Sequence, residues 1–163
     1  MPRAPRGVMW DAFDPAQLLL AGKVALAMLL GGAVGYERER AAKPAGLRTH
    51  MLIAGAAALL VGMGDALNAA FAEERFGALV RADPTRIVVA VVMGIGILGA
   101  GTIFRRADDH VEGLTTAASV LFVGALGVAV AIEQLLLALA GTALALLSLR
   151  SAAALERRAR RRG

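Results

Sequence analysis

Four long apolar runs, separated by short charged stretches, set the pattern of this chain. They predict helix 1 from Pro15 to about Tyr36, helix 2 from about Leu47 to Phe71, helix 3 from Pro84 to Phe104, and a fourth run from Gly113 to Leu149. A membrane-spanning helix needs roughly 20 predominantly apolar residues, and each run reaches about that length. The pattern therefore predicts an all-α, polytopic transmembrane helical bundle.

The fourth run is too long for one membrane crossing. It holds 37 residues with a single charge, Glu133. As one helix it would measure about 55 Å, against a hydrocarbon core of about 30 Å. We therefore expect helices 4 and 5 to meet around Ile132–Gln134, although no glycine or proline marks a turn there. The prediction becomes about five spans.

The same boundary signals occur twice along the chain. Asp14-Pro15 and Asp83-Pro84 begin helices 1 and 3, where Asp suits the N-cap and Pro suits the first helical position. The motifs Gly46-Leu47-x-Thr49 and Gly113-Leu114-x-Thr116 begin helices 2 and 4, 67 residues apart. We interpret this as two helical hairpins in parallel repeat, followed by a fifth helix. The alternative is that shared capping chemistry makes two unrelated hairpins look alike.

Charge is arranged in blocks, and the blocks predict a topology. The chain is 58% hydrophobic and 19% charged, whereas soluble domains are about 45–50% apolar and about 25% charged. With the N-terminus outside, 12 Lys and Arg residues fall on the inner side of the membrane and five on the outer side. Because positive charge concentrates on the cytoplasmic side of membrane proteins, we predict an N-out, C-in orientation.

The charge distribution also divides the chain and excludes some functions. We predict a polar leader at residues 1–14, a transmembrane domain at 15–150 and a basic cytoplasmic tail at 151–163. Six arginines between Arg150 and Arg162 directly follow an apolar span, which is typical of a membrane anchor rather than of nucleic-acid binding. The chain has no cysteine, so disulfides, thiolate metal sites and a cysteine nucleophile are excluded.

Glycines within the spans have two interpretations, a ligand-facing backbone and a close-packing face. In lipid, small residues let neighbouring helices approach closely, and we favour packing. This interpretation covers the GxxxG pair of helix 1 and the glycine row of helix 3, namely Gly31, Gly35, Gly94, Gly96, Gly99 and Gly101.

Two charges lie inside the predicted spans, where charged residues are rare and mark function. Lys23 lies about 10 Å inside helix 1, and Asp65 lies toward the outer end of helix 2. Because helices 1 and 2 are expected to be antiparallel neighbours, we predict that Lys23 and Asp65 form an intramembrane charge pair.

Polar residues on the predicted inner face offer a candidate Mg²⁺ site, since Mg²⁺ prefers oxygen ligands. Arginines share this face, so we favour salt bridges instead, and the pattern identifies no metal. Thr115 and Thr116 could bind an anion or cap helix 4, and we favour capping. No paired-carboxylate or Ser/His/Asp arrangement indicates an enzyme, and no motif indicates a cofactor. The acidic residues that would supply the candidate Mg²⁺ site are Glu37, Glu39, Asp108, Asp109 and Glu112.

Five motifs follow one another along the chain: GGAVGYERER (31–40), AGLRTHMLIAGAAALL (45–60), DPTRI (83–87), GIGILGAGTI (94–103) and GLTTAASV (113–120). Together they resemble the MgtC/SapB family of bacterial membrane proteins, over roughly residues 17–149. The resemblance implies about five transmembrane helices in the bacterial inner membrane and an association with growth in scarce magnesium, virulence or acid adaptation. It also implies, for some members, action on a membrane partner such as the F-type ATP synthase.

The leading hypothesis is a non-enzymatic inner-membrane protein that supports magnesium homeostasis by acting on another membrane protein. The alternative is an oligomeric transporter of Mg²⁺ or another cation. No carboxylate falls near the predicted bilayer midplane, which favours the first hypothesis. The expected partners are the lipid bilayer and either further copies of the chain or another membrane protein. The expected functional cytoplasmic face comprises Glu37, Glu39, Arg48, Thr49, Arg105, Thr115 and Thr116.

Overall fold

Helices account for most of the structure, a computed structural model that describes residues 14–73, 84–105 and 111–160. Within these residues there are five helices and one two-stranded antiparallel sheet, which pairs Phe104 with Glu112 and Arg105 with Val111. The predicted all-α bundle is confirmed. The elements are α1 (Pro15–Arg40), α2 (Leu47–Glu73), α3 (Pro84–Ala100), β1 (Phe104–Arg105), β2 (Val111–Glu112), α4 (Leu114–Ala131) and α5 (Leu135–Arg160).

The length and surface of these helices are those of a membrane protein. By length and composition, α1, residues Leu47–Leu67 of α2, and α4 could each cross a bilayer, while Thr85–Ala100 and Leu135–Ser151 form shorter apolar helices. Many leucines face outward, whereas the core consists mainly of Ala and Val side chains. This arrangement suits lipid, because lipid tails are as apolar as leucine and small residues allow close helix contact.

Helix α4 lies at the centre of the bundle and contacts each of the other four helices. Its glycines allow the closest of these contacts. A Cβ added at Gly127 would overlap the carbonyl oxygen of Ala54 in α2, and one added at Gly124 would overlap the side chain of Ile95 in α3. The obstacle at Gly127 is backbone, so this position requires glycine to bring α2 onto α4, whereas at Gly124 it is the end of the flexible Ile95 side chain.

The turn between α4 and α5 confirms the predicted division of the fourth apolar run. Glu133 has a positive φ of 62°, the Gln134 N–H donates to the Ala129 carbonyl and the Glu133 N–H donates to the Val130 carbonyl. These two bonds form a Schellman motif, in which glycine is the usual residue at the left-handed position. The α1–α2 connection uses the same motif with Ala42, whose φ is 53°. Because neither position is glycine, the residue that usually marks this motif is missing from the sequence at both turns.

Two predicted helix boundaries are wrong. Helix α1 continues past Tyr36 to Arg40, so the charged GYERER segment is helical. Helix α3 ends at Ala100 rather than at Phe104, and Thr102 folds back to donate from both its backbone N–H and its hydroxyl to the Gly99 carbonyl. Beyond that point Phe104 and Arg105 pair with β2, so backbone hydrogen bonding across the hairpin replaces the helical ladder.

Candidate functional site

A group of polar side chains lies buried where α1 ends and where α2 and α4 begin. We call it the polar cluster, and it consists of Glu37, Arg38, His50, Thr116 and Ser119. The side chains of Arg38, His50, Thr116 and Ser119 are all buried, and that of His50 is fully so, at 0% exposure. Polar groups are costly to bury without partners, so their presence here indicates a specific role.

His50 fits because α1 carries glycine on the facing side. A Cβ added at Gly31 would lie 2.6 Å from the His50 carbonyl oxygen, and one added at Gly35 would lie 2.8 Å from the His50 Cβ. Both distances are too short for any larger residue at these two positions. The GxxxG pair of helix 1 thus creates the space for the first turn of α2.

The hydrogen bonds of His50 connect α2 to α4. Its Nδ1 lies 2.8 Å from the Gly46 carbonyl oxygen and its Nε2 lies 3.0 Å from the Ser119 Oγ, which is itself 2.8 Å from the Thr116 carbonyl oxygen. A carbonyl only accepts, so Nδ1 carries a proton. Ser119 has one hydroxyl proton, which can serve either Thr116 or Nε2. All three bonds form at once only when Nε2 is also protonated.

The other charged member of the cluster is the buried Arg38. Its Nε donates to the Glu37 carboxylate at 3.0 Å, and the side chains of both residues are largely covered. Burying a guanidinium is costly unless a counter-charge accompanies it. The pair therefore neutralises a charge that α1 carries into the bundle beside His50.

Glu39, one residue of the predicted functional face, makes a hydrogen bond that stabilises the start of α2. Its carboxylate accepts from the backbone N–H of Leu47 at 2.9 Å, which satisfies an otherwise free donor in the first turn of α2. Arg48, Thr49 and Thr115 are exposed. Arg105 lies exposed in β1, whereas Thr116 is buried in the polar cluster and does not belong to an exposed surface.

The expected threonine cap of α4 is wrong. The N-cap residue is Gly113, which has a positive φ of 90° and makes no side-chain capping bond. A Cβ there would also overlap the carbonyl of Thr102, so the position demands glycine on two counts. Thr116 instead presents its carbonyl to Ser119.

The structure pairs Lys23 with Glu133 instead of with Asp65. The Lys23 Nζ lies 2.8 Å from the Glu133 carboxylate and donates to the Ala131 carbonyl at 3.1 Å. Asp65 is exposed and is not within ion-pair distance of Lys23. The reason is length, because α4 has 18 residues and α1 has the same number between Lys23 and Arg40. Since α4 packs on α1 from the polar cluster onward, it ends beside Lys23.

Lys23 also acts on the protonation of Glu133, which lies in the turn outside the helices. The hydrogen bond and the positive charge of Lys23 lower the pKa of the Glu133 carboxyl from its ordinary value. A cation at the end of α4 also matches the negative end of the helix dipole. The contact therefore joins α1 to the α4–α5 turn at the end of the bundle opposite the polar cluster.

The predicted packing role of the helix 3 glycines is only partly matched within the chain. Gly99 contacts Ala117 of α4, and Gly101 lies beyond the end of α3. A Cβ added at Gly94 or Gly96 would meet nothing within 4 Å. These two glycines therefore do not pack against any other part of the chain that the structure describes.

Among the described residues there is no group of three or more His, Asp or Glu side chains arranged to hold a metal ion. Glu37 and Glu39, two of the proposed Mg²⁺ ligands, are engaged by Arg38 and by the Leu47 N–H. Asp108 and Asp109 lie outside the described residues, as does His110. The arrangement favours the predicted salt bridging over a cation site at Glu37.

Sequence reasoning missed His50 and Ser119 as partners. One signal was available, since an ionisable residue within a membrane helix is expected to serve a function. This signal applies to His50, because helix 2 is predicted from about Leu47 onward. His50 lies one turn inside α2, four residues after Gly46. Ser119 carried no signal, because a serine in an apolar helix is common and its partner is 69 residues away.

Comparison with known proteins agrees with the helical arrangement. The sequence model described as the MgtC family matches residues 24–158, which is most of the chain. The chain belongs to the MgtC family. The match begins next to Lys23 and extends into α5, so it includes the whole polar cluster. No solved structure matches significantly.

Curated relatives support the same assignment. The chain is 34% identical over 145 residues to an uncharacterized protein of Haemophilus influenzae, covering 89% of this chain and 60% of the relative. It is 36% identical over 116 residues to Protein SapB of Bacillus subtilis, covering 71% and 47%. It is 37% identical over 132 residues to "Putative magnesium transporter YhiD" of Escherichia coli, covering 78% and 57%. The chain thus spans between 47% and 60% of the length of these three relatives.

Proposed function

We propose that this chain is a non-enzymatic protein of the bacterial inner membrane that supports magnesium homeostasis by modulating another membrane protein. Its orientation is N-out and C-in, so the polar cluster lies toward the cytoplasm. The F-type ATP synthase is the candidate partner that the family resemblance implies. The link to magnesium is supported by membership of the MgtC family and by the name of the Escherichia coli relative, "Putative magnesium transporter YhiD".

The chemistry of the buried polar groups carries this proposal. Within the described residues, the buried polar residues are one arginine, one histidine and three hydroxyl residues, and the nearest carboxylate to them, that of Glu37, is 11% exposed. Mg²⁺ binds through carboxylates and other oxygen ligands and gives up its water reluctantly. The largely covered carboxylate of Glu37 is already paired with Arg38, so the described interior offers no unpaired buried carboxylate to a divalent cation. A modulating role therefore fits the single chain better than a conducting one.

The alternative is a cation transporter whose path lies between copies of the chain. It is favoured by the name of the Escherichia coli relative and by Gly94 and Gly96 of α3, which contact no other described part of the chain. In that case the ligands would come from an interface that one chain does not contain.

A flux measurement separates the two functions. The purified full chain is reconstituted in phospholipid vesicles that contain a Mg²⁺-sensitive dye, with protein-free vesicles as the baseline. The modulator predicts entry of Mg²⁺ at the baseline rate, together with rescue of growth in scarce magnesium when the gene is returned to a strain that lacks it. Protein-dependent Mg²⁺ entry would replace the proposal with the transporter. Failure to rescue growth would remove the magnesium role itself.

A second experiment tests where the function lies. Arg48→Ala and Asp65→Ala each change one exposed charged residue of α2, at opposite ends of the bundle. We expect Arg48→Ala to reduce rescue of growth and Asp65→Ala to preserve it, with membrane abundance equal for both. The reverse result would place the functional face at the end opposite the polar cluster. Chemical crosslinking from Arg48→Cys, followed by identification of the captured membrane protein, then tests the ATP synthase.

A further inference from the structure

An apolar groove runs between α2 and α3 on the side of the bundle away from α5. Its volume is about 520 Å³. The α2 wall consists of Ile53, Ala56, Ala57 and Leu60, and the α3 wall runs from Arg86 to Leu98. Helices α2 and α3 pack less extensively on each other than α1 and α2 do.

One end of this groove carries a positive charge. Arg86 lines it, is exposed, and forms no ion pair with a described residue. Asp65 follows Gly64, whose added Cβ would overlap Ile87, so a carboxylate lies at the same end of the bundle. It is not within ion-pair distance of Arg86, and the guanidinium remains available to a ligand.

The length of the groove matches one leaflet of a bilayer. From Arg86 to Leu98 the helix rises about 18 Å, at 1.5 Å per residue. Half of a hydrocarbon core of about 30 Å is about 15 Å. An acyl chain whose headgroup lies at Arg86 would therefore extend along the whole apolar wall and end near the bilayer centre.

We propose that the α2–α3 groove is a binding site for one anionic phospholipid, with its phosphate-bearing headgroup at Arg86 and an acyl chain along Ala56, Ala90 and Gly94. A guanidinium binds phosphate through paired hydrogen bonds, which accounts for the charge at the mouth. The small residues of the walls leave room for the chain. Gly94, which has no described neighbour within 4 Å of an added Cβ, contacts the lipid in this arrangement.

The test measures retention of spin-labelled lipids by the full chain in phosphatidylcholine vesicles. Spin-labelled phosphatidylglycerol and phosphatidylcholine are compared by the fraction that the protein immobilises. An interaction of one arginine with an anionic lipid corresponds to a preference of about fivefold. Arg86→Gln should reduce this ratio to about one, and Arg86→Lys should keep most of it. Arg150→Gln, which changes an exposed arginine outside the groove, should leave the ratio unchanged.

Substitutions that fill the groove test the proposal independently of Arg86, and they have a matched control. Gly94→Leu introduces a side chain into the groove, while Gly96→Leu introduces the same side chain at an equally open position of α3 that does not line it. Gly94→Leu should lower retention of both lipids and Gly96→Leu should not. Ala90→Leu provides a second filling variant, and circular dichroism checks that each variant folds.

Two results would overturn the proposal. One is equal retention of the two lipids by the unaltered chain, or a preference that survives Arg86→Gln. The other is a dimer, seen by native mass spectrometry, that Gly94→Leu dissociates without any change in lipid retention, because a second copy would then occupy the groove.

Discussion

The Nε2 of His50 in α2 lies 3.0 Å from the Oγ of Ser119 in α4, and this bond crosses between the two helices that begin at the polar cluster. This hydrogen bond between two side chains joins α2 directly to α4. Because His50 is fully buried, neither side chain can exchange its partner for water. The contact therefore gives the polar cluster one defined geometry.

A double-mutant cycle should measure this bond. We expect His50→Ala and Ser119→Ala to be coupled by about 0.6 kcal/mol and by no more than about 1.7 kcal/mol, the range found for hydrogen bonds between membrane helices. The measurement is unfolding in mixed micelles for both single variants and for the double variant. His50→Ala combined with Ser148→Ala is the control, because Ser148 is an exposed serine outside the cluster. Equal coupling in both cycles would contradict the assignment.

Gly113→Ala should destabilise the protein strongly. The residue has a φ of 90° and faces the Thr102 carbonyl, and the left-handed conformation alone costs a non-glycine residue about 1–2 kcal/mol. Gly96→Ala is the control, since it replaces a glycine of α3 that faces open space and should gain up to about 1 kcal/mol of helix propensity. Thermal unfolding that shows Gly113→Ala to be as stable as the parent would refute the close approach.

Ala42→Gly should stabilise the chain. Ala42 occupies a left-handed position with a φ of 53°, where replacing it by glycine relieves about 1 kcal/mol of steric strain. Ala41→Gly is a neighbouring control, because the φ of Ala41 is −84° and an alanine there is unstrained. Only Ala42→Gly should raise the midpoint of denaturation. An equal effect of both substitutions would indicate a change in the unfolded chain instead.

The Lys23–Glu133 pair should make the free energy of unfolding depend on pH in the acidic range. Because Lys23 lowers the pKa of Glu133 in the folded state, the stabilisation is present above the ordinary carboxyl pKa and is lost as the pH falls through the lower, folded value. We expect only a small loss as the pH falls below the ordinary carboxyl range, since the Glu133 side chain is 69% exposed and solvent screens the pair. Glu133→Gln should remove that part of the pH dependence, and Asp65→Asn should leave it intact.

The proposed topology predicts the location of three reporters. Fusions after Arg106 and after Gly163 should both report cytoplasm, because the excess of basic residues lies on that side. A fusion before Pro15 should report the opposite side. If the reporters at Arg106 and Gly163 disagree, α4 and α5 do not both cross the membrane.

The sequence by itself determined the features that depend on neighbouring residues. Apolar runs of membrane length determined the helices. The length of the fourth run alone required its division into α4 and α5, and Glu133 lies in the turn between them. The Asp14-Pro15 signal begins α1 as expected, with the Asp14 carboxylate accepting from the Ala16 N–H. Caps, helix lengths and charge blocks are local properties, so they can be read along the chain without knowledge of its partners.

Only the tertiary structure decided which distant side chains meet. Lys23 was expected beside Asp65 on the sequentially adjacent helix, but its partner depends on where α4 ends, 108 residues away at the Ala131 carbonyl. His50 and Ser119 likewise meet because the glycines of α1 let α2 pack closely against α1, and because α4 packs against both of these helices. Such contacts follow from the relative depth and rotation of whole helices in the bundle. Periodicity along one helix specifies its apolar face, and the packing of all five helices decides what that face meets.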